Sequence, residues 1–143
     1  MIEKVFFDTN LFIYAYTTNE PEKSEAIHAL LQDYSGKKSI VISTQVLSEF
    51  YAVMAKHRHP HEKIVDYLNE LISAVTVSAV TTRSIEKALS IKGKYAYSWW
   101  DSLILASALE NGCKRVCSED MRHGQIIEDA LLIENPFLPA AGV

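Results

Sequence analysis

The chain has 143 residues, a length that fits one ordinary domain and leaves little room for two. Because 48% of the residues are apolar and 22% are charged, the chain can bury a sizeable core and need not be disordered. The net charge of −4 argues against a protein that coats nucleic acid by charge alone, but it leaves room for an enzyme whose bound metal ions supply positive charge where a phosphate docks.

The first residues and the two cysteines indicate the cellular compartment. The apolar run between Glu3 and Asp8 is far too short for a signal-peptide core or a membrane span. Cys113 and Cys117 are too few for a disulfide framework and lack companions at zinc-ligand spacing, so we expect reduced, partly buried thiols. These features predict a cytoplasmic protein with no membrane partner.

In the first half of the chain, short apolar runs alternate with amphipathic stretches. Residues 5–7 predict a buried strand that runs into a turn at Asp8-Thr9-Asn10. The periodicity predicts a helix over 22–34, with Gly36 beyond its end, and a second strand over 39–43. Thr44 is a candidate cap for a helix that continues to about His57.

The second half repeats the alternation. Pro60 precedes a helix predicted over 61–73, and a strand over 74–80 and a helix over 82–92 follow. A strongly apolar helix over 99–111 stops at Gly112, and the last predicted strands are Arg115–Cys117 and 131–133. This order predicts a single-domain α/β fold of three α/β/α layers around a short parallel sheet, with a core over about 3–135 and a C-terminal tail over 136–143.

Four acidic residues stand out by their predicted positions. Asp8 and Asp120 each follow a strand, so both should project at the carboxyl edge of the sheet, where ligands of such folds bind. Asp101 lies in the first turn of the apolar helix, and Glu49 lies at the margin of the apolar stripe of the 44–57 helix. A carboxylate near a core is costly unless it is paired or coordinates a metal.

Each of these residues also has a purely structural interpretation. Asp8 fits an Asx turn that ends a strand, and Ser98 with Asp101 matches a capping box. Glu49 fits a solvated helix acid, and Asp120 fits an ordinary turn. Taken together, however, four acids at one edge would repel one another unless a cation lies between them or some stay protonated. Mg²⁺ and Mn²⁺ prefer such ligands, and phosphodiester cleavage is the chemistry that suits the arrangement.

Four segments resemble the PIN-domain family, and most closely the VapC-like ribonuclease toxins of toxin–antitoxin pairs. They are VFFDTNLFIYAY (5–16), STQVLSEFYAV (43–53), YSWWDSLILASALENGC (97–113) and VCSEDMRHGQ (116–125), which together span nearly the full chain in order. The acidic positions of the family fall on Asp8, Glu49, Asp101 and Asp120. Ser118 and Asn10 match supporting positions, and Asn10 is expected to orient Asp8 through the turn.

The resemblance implies an endoribonuclease dependent on Mg²⁺ or Mn²⁺ that leaves 3′-hydroxyl and 5′-phosphate ends. Asp8, Asp101 and Asp120 would hold the metal, directly or through water, and Glu49 would complete the site or orient the attacking water. The resemblance also implies an RNA substrate, a cognate antitoxin that blocks the site, and a homodimer.

Other interpretations stay open at this point. The chain could be a PIN-fold nuclease of RNA processing, or a non-catalytic module whose acidic edge receives a basic partner. A phosphatase with Asp8 as nucleophile is disfavoured because Asn10 stands where a second aspartate is expected. Arg122 and His123 are candidates for contact with the scissile phosphate. The histidines of the HRHPH segment (57–61) are interrupted by proline, so they predict a solvated helix junction and not a metal site.

Overall fold

One six-stranded sheet organises the computed structural model, which describes residues 3–34 and 38–139. Within these ranges the strands are β1 (Glu3–Phe7), β2 (Lys38–Ser43), β3 (Thr76–Ser78), β4 (Arg115–Cys117), β5 (Ile126–Ile127) and β6 (Leu131–Glu134). The helices are α1 (Thr9–Tyr16), α2 (Pro21–Tyr34), α3 (Thr44–Lys56), α4 (His61–Ala74), α5 (Thr82–Tyr95) and α6 (Trp99–Glu110).

The sheet is mostly parallel, and β1 lies near its centre. The strand order is β3-β2-β1-β4-β6-β5, with only β5 antiparallel to its neighbour β6. Val5, Phe6 and Phe7 are all fully buried, although successive side chains of a strand point to opposite faces. Both faces of the sheet are therefore covered at its centre, as the prediction of three layers requires.

The chain reverses direction across the sheet at β1, and this reversal positions the site. From β1 the chain proceeds to β2 and β3 on one side, and β4 then pairs with the other side of β1. Asp8 follows β1 directly and Ser118 follows β4 directly, so these two residues meet at the carboxyl edge where the strand order switches. In open α/β sheets this is the place where ligands bind.

Most of the predicted elements are confirmed, and the exceptions are short or local. The expected turn at Asp8-Thr9-Asn10 is wrong, because Asp8 caps helix α1 and the helix begins at Thr9. Thr44 does not cap α3: the N-cap is Ser43, without a side-chain bond, and the Thr44 hydroxyl accepts the Val80 N–H at 3.2 Å. β5 was not predicted, and β3 is shorter than expected. The prediction for Gly36 lies outside the described residues.

Three further features concern the remaining sequence predictions. Cys113 and Cys117 are free and buried. No helix in residues 3–34 or 38–139 is long and apolar enough to cross a membrane. The Phe137 ring packs edge-on against Tyr14, with centroids 5.6 Å apart, so this part of the predicted tail contacts α1.

Candidate active site

The four predicted acids line one cleft at the carboxyl edge of the sheet. The cleft has a volume of about 290 Å³, and its lining comprises Asp8, Thr9, Asn10, Ile13, Tyr14, Glu49, Val53, Asp101 and Asp120. Four elements contribute: the start of α1, the middle of α3, the first turn of α6 and the loop after β4. The structure thus brings together acids that lie far apart in the sequence.

Asp8 is the deepest of the four. It is 7% exposed, and as N-cap of α1 it accepts the Thr9 N–H through Oδ1 at 2.7 Å. Its Oδ2 accepts the Ser118 hydroxyl at 2.7 Å. Burial raises the pKa of Asp8 to about 7, helped by the charges of Asp101 and Glu49, although the two hydrogen bonds oppose the shift. The capping role and a role in the cleft coexist in the same carboxylate.

Glu49 is half-buried on the cleft-facing side of α3. Its Oε1 accepts the Gln45 amide at 3.0 Å and the Thr9 hydroxyl at 3.4 Å. The same Gln45 amide donates to the Trp100 carbonyl at 3.1 Å, so it links α3 to the start of α6. Burial raises the pKa of Glu49, and the charge of Asp101 adds to the shift. The interpretation as a solvated helix acid does not describe this environment.

Asp101 lies in the first turn of α6 and is also half-buried. The Ser98 hydroxyl accepts the Asp101 N–H at 3.1 Å, which caps the helix as the sequence pattern predicts. Burial raises the pKa of the Asp101 carboxyl, and the neighbouring charge of Asp120 raises it further. The backbone of Asp101 therefore serves the helix cap while its side chain lines the cleft.

Asp120 lies at the exposed rim, held by two contacts. Its Oδ2 accepts the Asn10 amide at 2.9 Å, and its N–H donates to the Ser118 hydroxyl at 3.3 Å. Asn10 was expected to orient Asp8, but in the structure it orients Asp120, and Thr9 with Ser118 holds Asp8 instead. The Oδ1 atom of Asn10 is buried and has no hydrogen-bond partner within the described residues.

The donor set fits a hard divalent cation. Carboxylate and amide oxygens are the ligands that Mg²⁺ and Mn²⁺ prefer, and Asn10, whose Oδ1 is buried and unpartnered, is one of the residues that line the cleft. Three of the four carboxyls have raised pKa values, because burial and mutual repulsion disfavour their charged forms. Across residues 3–34 and 38–139, no group of three or more acidic, histidine or cysteine side chains is arranged so that it could hold a metal ion as it stands. The residue types suit a divalent cation, but their present arrangement is not a formed metal site.

The structure adds a rim network that the sequence reasoning missed. Glu119 accepts the Tyr14 hydroxyl at 2.6 Å and the Lys23 ammonium at 2.5 Å. Burial alone would raise the pKa of Glu119, but these two donors lower it. The network ties the Ser118–Asp120 loop to α1 and α2. The only sequence signal was the acidic pair Glu119-Asp120, and nothing in it identified Lys23 as the partner.

Arg122 and His123 do not line the cleft. The Arg122 guanidinium donates to the Tyr95 carbonyl at 2.9 Å and lies over the Tyr97 ring at 4.8 Å. His123 accepts the Asn135 N–H at Nδ1 and is 2.8 Å from the Pro139 carbonyl at Nε2. His123 contacts the C-terminal segment and Arg122 contacts the end of α5 and the loop after it, so the structure adds no support to the phosphate-contact hypothesis.

Comparisons with known proteins bear on the family and the fold. The model of the PIN domain family matches residues 5–128. A DNA-bound VapBC structure from Salmonella typhimurium superposes with a TM-score of 0.71 at 22% identity, covering 95% of this chain and 99% of that one. A toxin–antitoxin complex from Klebsiella pneumoniae gives 0.67 at 17% identity, covering 92% and 97%.

VapC20 of Mycobacterium tuberculosis, described as a toxin that cleaves the sarcin–ricin loop, gives a TM-score of 0.64 at 20% identity, covering 78% of this chain and 86% of that one. A search of curated proteins gives no match. At these identities the structural likenesses establish the fold, and the family match extends over most of the chain.

Proposed function

The chain belongs to the PIN-domain family, and from this membership we propose that it is a metal-dependent endoribonuclease, the toxin of a toxin–antitoxin pair. The observation that supports the activity is the convergence of four carboxyls, from four separate elements, on one cleft at the switch point of the sheet. The toxin role is supported by likeness to the VapC protein and to the toxin–antitoxin complex described above.

We assign the metal-binding role to Asp8, Asp101 and Asp120. A bound Mg²⁺ or Mn²⁺ would polarise the phosphate and stabilise the leaving oxygen. Ser118 and the Thr9 N–H hold Asp8 in place, and Asn10 holds Asp120. Glu49, whose pKa is raised by burial, is suited to accept a proton from the attacking water.

The same proposal includes the partners of the protein and the extent of its catalytic domain. RNA is the substrate, a cognate antitoxin covers the cleft, and the active form is a cytoplasmic homodimer. The catalytic domain extends over about 3–135. Catalysis by Asp8 as a covalent nucleophile is disfavoured, because Asn10 stands where a phosphatase of that kind is expected to have a second aspartate.

Cleavage of RNA by the purified chain tests the proposal. We expect cutting with Mg²⁺ or Mn²⁺, none with EDTA, and products that carry 5′-phosphate and 3′-hydroxyl ends. Asp101→Asn should reduce the rate by at least about 100-fold while the fold stays intact. A protein that binds RNA or a basic peptide but never cuts with either metal would instead be the non-catalytic module.

The toxin role needs a separate test, because a nuclease of RNA processing would also cut RNA in vitro. Induced expression of the wild-type chain should arrest growth, and the Asp101→Asn variant should not. Growth that continues unchanged while cellular RNA is cut at a single processing site would favour the processing role.

A further inference from the structure

A second cavity, of about 160 Å³, opens beside the acidic cleft. We call it the side pocket; it is lined by Ile13, Tyr14, Thr17, Asn19, Glu20, Met54, His57 and His59. Ile13 and Tyr14 line both the side pocket and the cleft. The two cavities are therefore neighbours along the seam between α1 and α3, with Ile13 and Tyr14 between them.

The position along α3 places the side pocket within reach of a strand bound in the cleft. Glu49 and Val53 line the cleft, and Met54 and His57 line the side pocket about one turn further on. At 1.5 Å per residue, Glu49 and His57 are separated by roughly 12 Å along the helix axis. A strand with a phosphate among the carboxyls would therefore need to extend by roughly this distance along α3 to reach the side pocket.

The lining combines a fixed aromatic ring with hydrogen-bonding groups. The Tyr14 hydroxyl is held by Glu119 at 2.6 Å, and its ring is held by the Lys23 ammonium, which lies over it at 5.0 Å, and by Phe137, so the ring is positioned before any ligand arrives. The Asn19, His57 and His59 side chains make no hydrogen bond or ion pair to any other residue in the described ranges. Aromatic rings stack on unpaired bases, and amide and imidazole groups read base edges.

The backbone holds these groups in a defined turn. The His57 N–H donates to the Val53 carbonyl at 3.0 Å, and the His59 N–H donates to the Met54 carbonyl at 3.1 Å. Between them Arg58 adopts a positive φ of 66°, which reverses the chain after α3. Both imidazoles are thereby presented at the wall of the side pocket.

Three other occupants fit less well. A drug-sized ligand needs a cavity of about 300 Å³ or more, well above the volume of the side pocket. A phosphate is disfavoured because the lining contains no lysine or arginine, and its one carboxylate, Glu20, already pairs with Lys23 at 3.5 Å. A hard divalent cation is disfavoured because Glu20 is the one carboxylate that lines the side pocket and it already pairs with the Lys23 ammonium at 3.5 Å. The occupant that best fits the side pocket is a small, flat, neutral group with polar edges.

We propose that the side pocket binds one unpaired base of the RNA substrate, from a nucleotide that flanks the scissile phosphate. This inference rests on the proposed ribonuclease function for the identity of the ligand. Stacking on Tyr14 supplies affinity, and Asn19 with the two histidines supplies preference among bases. The HRHPH segment is thereby part of substrate selection.

Binding without metal tests the side pocket independently of cleavage. The imidazole signals of His57 and His59 are followed by NMR in EDTA during titration with the four nucleoside 5′-monophosphates, and ribose 5-phosphate serves as the control without a base. We expect saturable shifts of both signals with at least one nucleotide and none with ribose 5-phosphate. His61, which bonds to Tyr51 at 2.9 Å, should not shift.

Cleavage of a randomised single-stranded RNA pool gives the second measurement. The wild type should prefer one or two bases at a single position beside the cut. The Asn19→Ala/His57→Ala double variant should lose that preference, and its kcat/KM on the preferred sequence should fall about tenfold. His61→Ala, which removes a histidine from the same segment but outside the side pocket, should keep the preference.

The outcomes separate the two proposals. Base-dependent shifts at His57 in a protein that never cuts RNA would overturn the ribonuclease proposal alone. Cutting whose base preference is absent, or unchanged in the double variant, would overturn the side-pocket proposal alone. Equal shifts with ribose 5-phosphate would also overturn it, because the base would then contribute nothing.

Discussion

The Ser118 hydroxyl donates a hydrogen bond of 2.7 Å to the buried Oδ2 of Asp8, and so joins the end of β4 to the end of β1. The same hydroxyl accepts the Asp120 N–H at 3.3 Å. One small side chain therefore positions two of the proposed metal ligands. It also opposes the effect of burial on Asp8, because a hydrogen bond to the charged form favours that form.

Replacing Ser118 with alanine should weaken catalysis through Asp8. Without the hydroxyl, the pKa of Asp8 should rise above about 7, and the rising limb of the kcat/KM–pH profile should move to higher pH. Ser118→Thr keeps the donor and should restore the profile. Ser107→Ala is the control for folding, because it truncates a different buried serine, which lies on α6. An unshifted profile in Ser118→Ala would show that this hydrogen bond does not tune Asp8.

Asp8→Asn should stabilise the metal-free fold at high pH while abolishing cleavage. The folded pKa of about 7 lies above the ordinary value of 3.8, so ionisation of Asp8 costs stability as the pH rises from about 4 to 7, and the full cost persists above 7. In EDTA at pH 8 the variant should be more stable by roughly 1–4 kcal/mol. Denaturant unfolding at pH 8 and pH 4 measures this difference, which should vanish at the lower pH. A variant that is less stable at pH 8 would contradict the assignment of a costly buried charge.

Divalent metal should stabilise the wild type in a pH-dependent way. Since the cation needs Asp8 in its charged form, Mn²⁺ should raise the unfolding midpoint at pH 8 and have little effect at pH 5. At a metal concentration 100 times the dissociation constant, the stabilisation should be about 2.7 kcal/mol. Thermal unfolding with and without Mn²⁺ measures it, with Ca²⁺ as a second hard cation. A shift of the same size at both pH values would place the bound ion away from Asp8.

Gln45→Leu should slow the chemical step without removing the metal site. Gln45 holds the Glu49 carboxylate at 3.0 Å and the Trp100 carbonyl at 3.1 Å, and a hydrogen bond to a charged group is worth about 1.5–3 kcal/mol. We expect kcat to fall about tenfold or more while the Mn²⁺ affinity stays near that of the wild type. Gln32→Leu, an exposed glutamine on α2, is the matched control. An equal loss in both variants would point to a general effect of the substitution.

The architecture was predictable because its signals are local and repeated. The buried run at Val5–Phe7 and the long apolar helix before Gly112 each stand out as a continuous apolar stretch. The missed elements have little signal in the sequence, because α1 is eight residues long and apolar on most sides and β5 has only two residues. Thr44 resembled a cap by residue type, but the chain enters α3 one residue earlier, at Ser43.

The residues that line the candidate site could be predicted from the sequence, but the contacts between them could not. Asp8 and Asp120 follow strands, so their common edge follows from a parallel sheet. That Asn10 bonds to Asp120, 110 residues away, depends on how the loop after β4 folds over α1. The Lys23–Glu119 pair likewise depends on the approach of α2, which periodicity does not specify.

The central claim is that the acidic cleft captures a divalent cation. Titration of Mn²⁺ into the wild type at pH 8, followed by calorimetry, measures this directly. We predict saturable binding that is lost or weakened at least about tenfold in both Asp8→Asn and Asp101→Asn. Binding of unchanged affinity in both variants, or RNA cleavage that persists in EDTA, would contradict the claim.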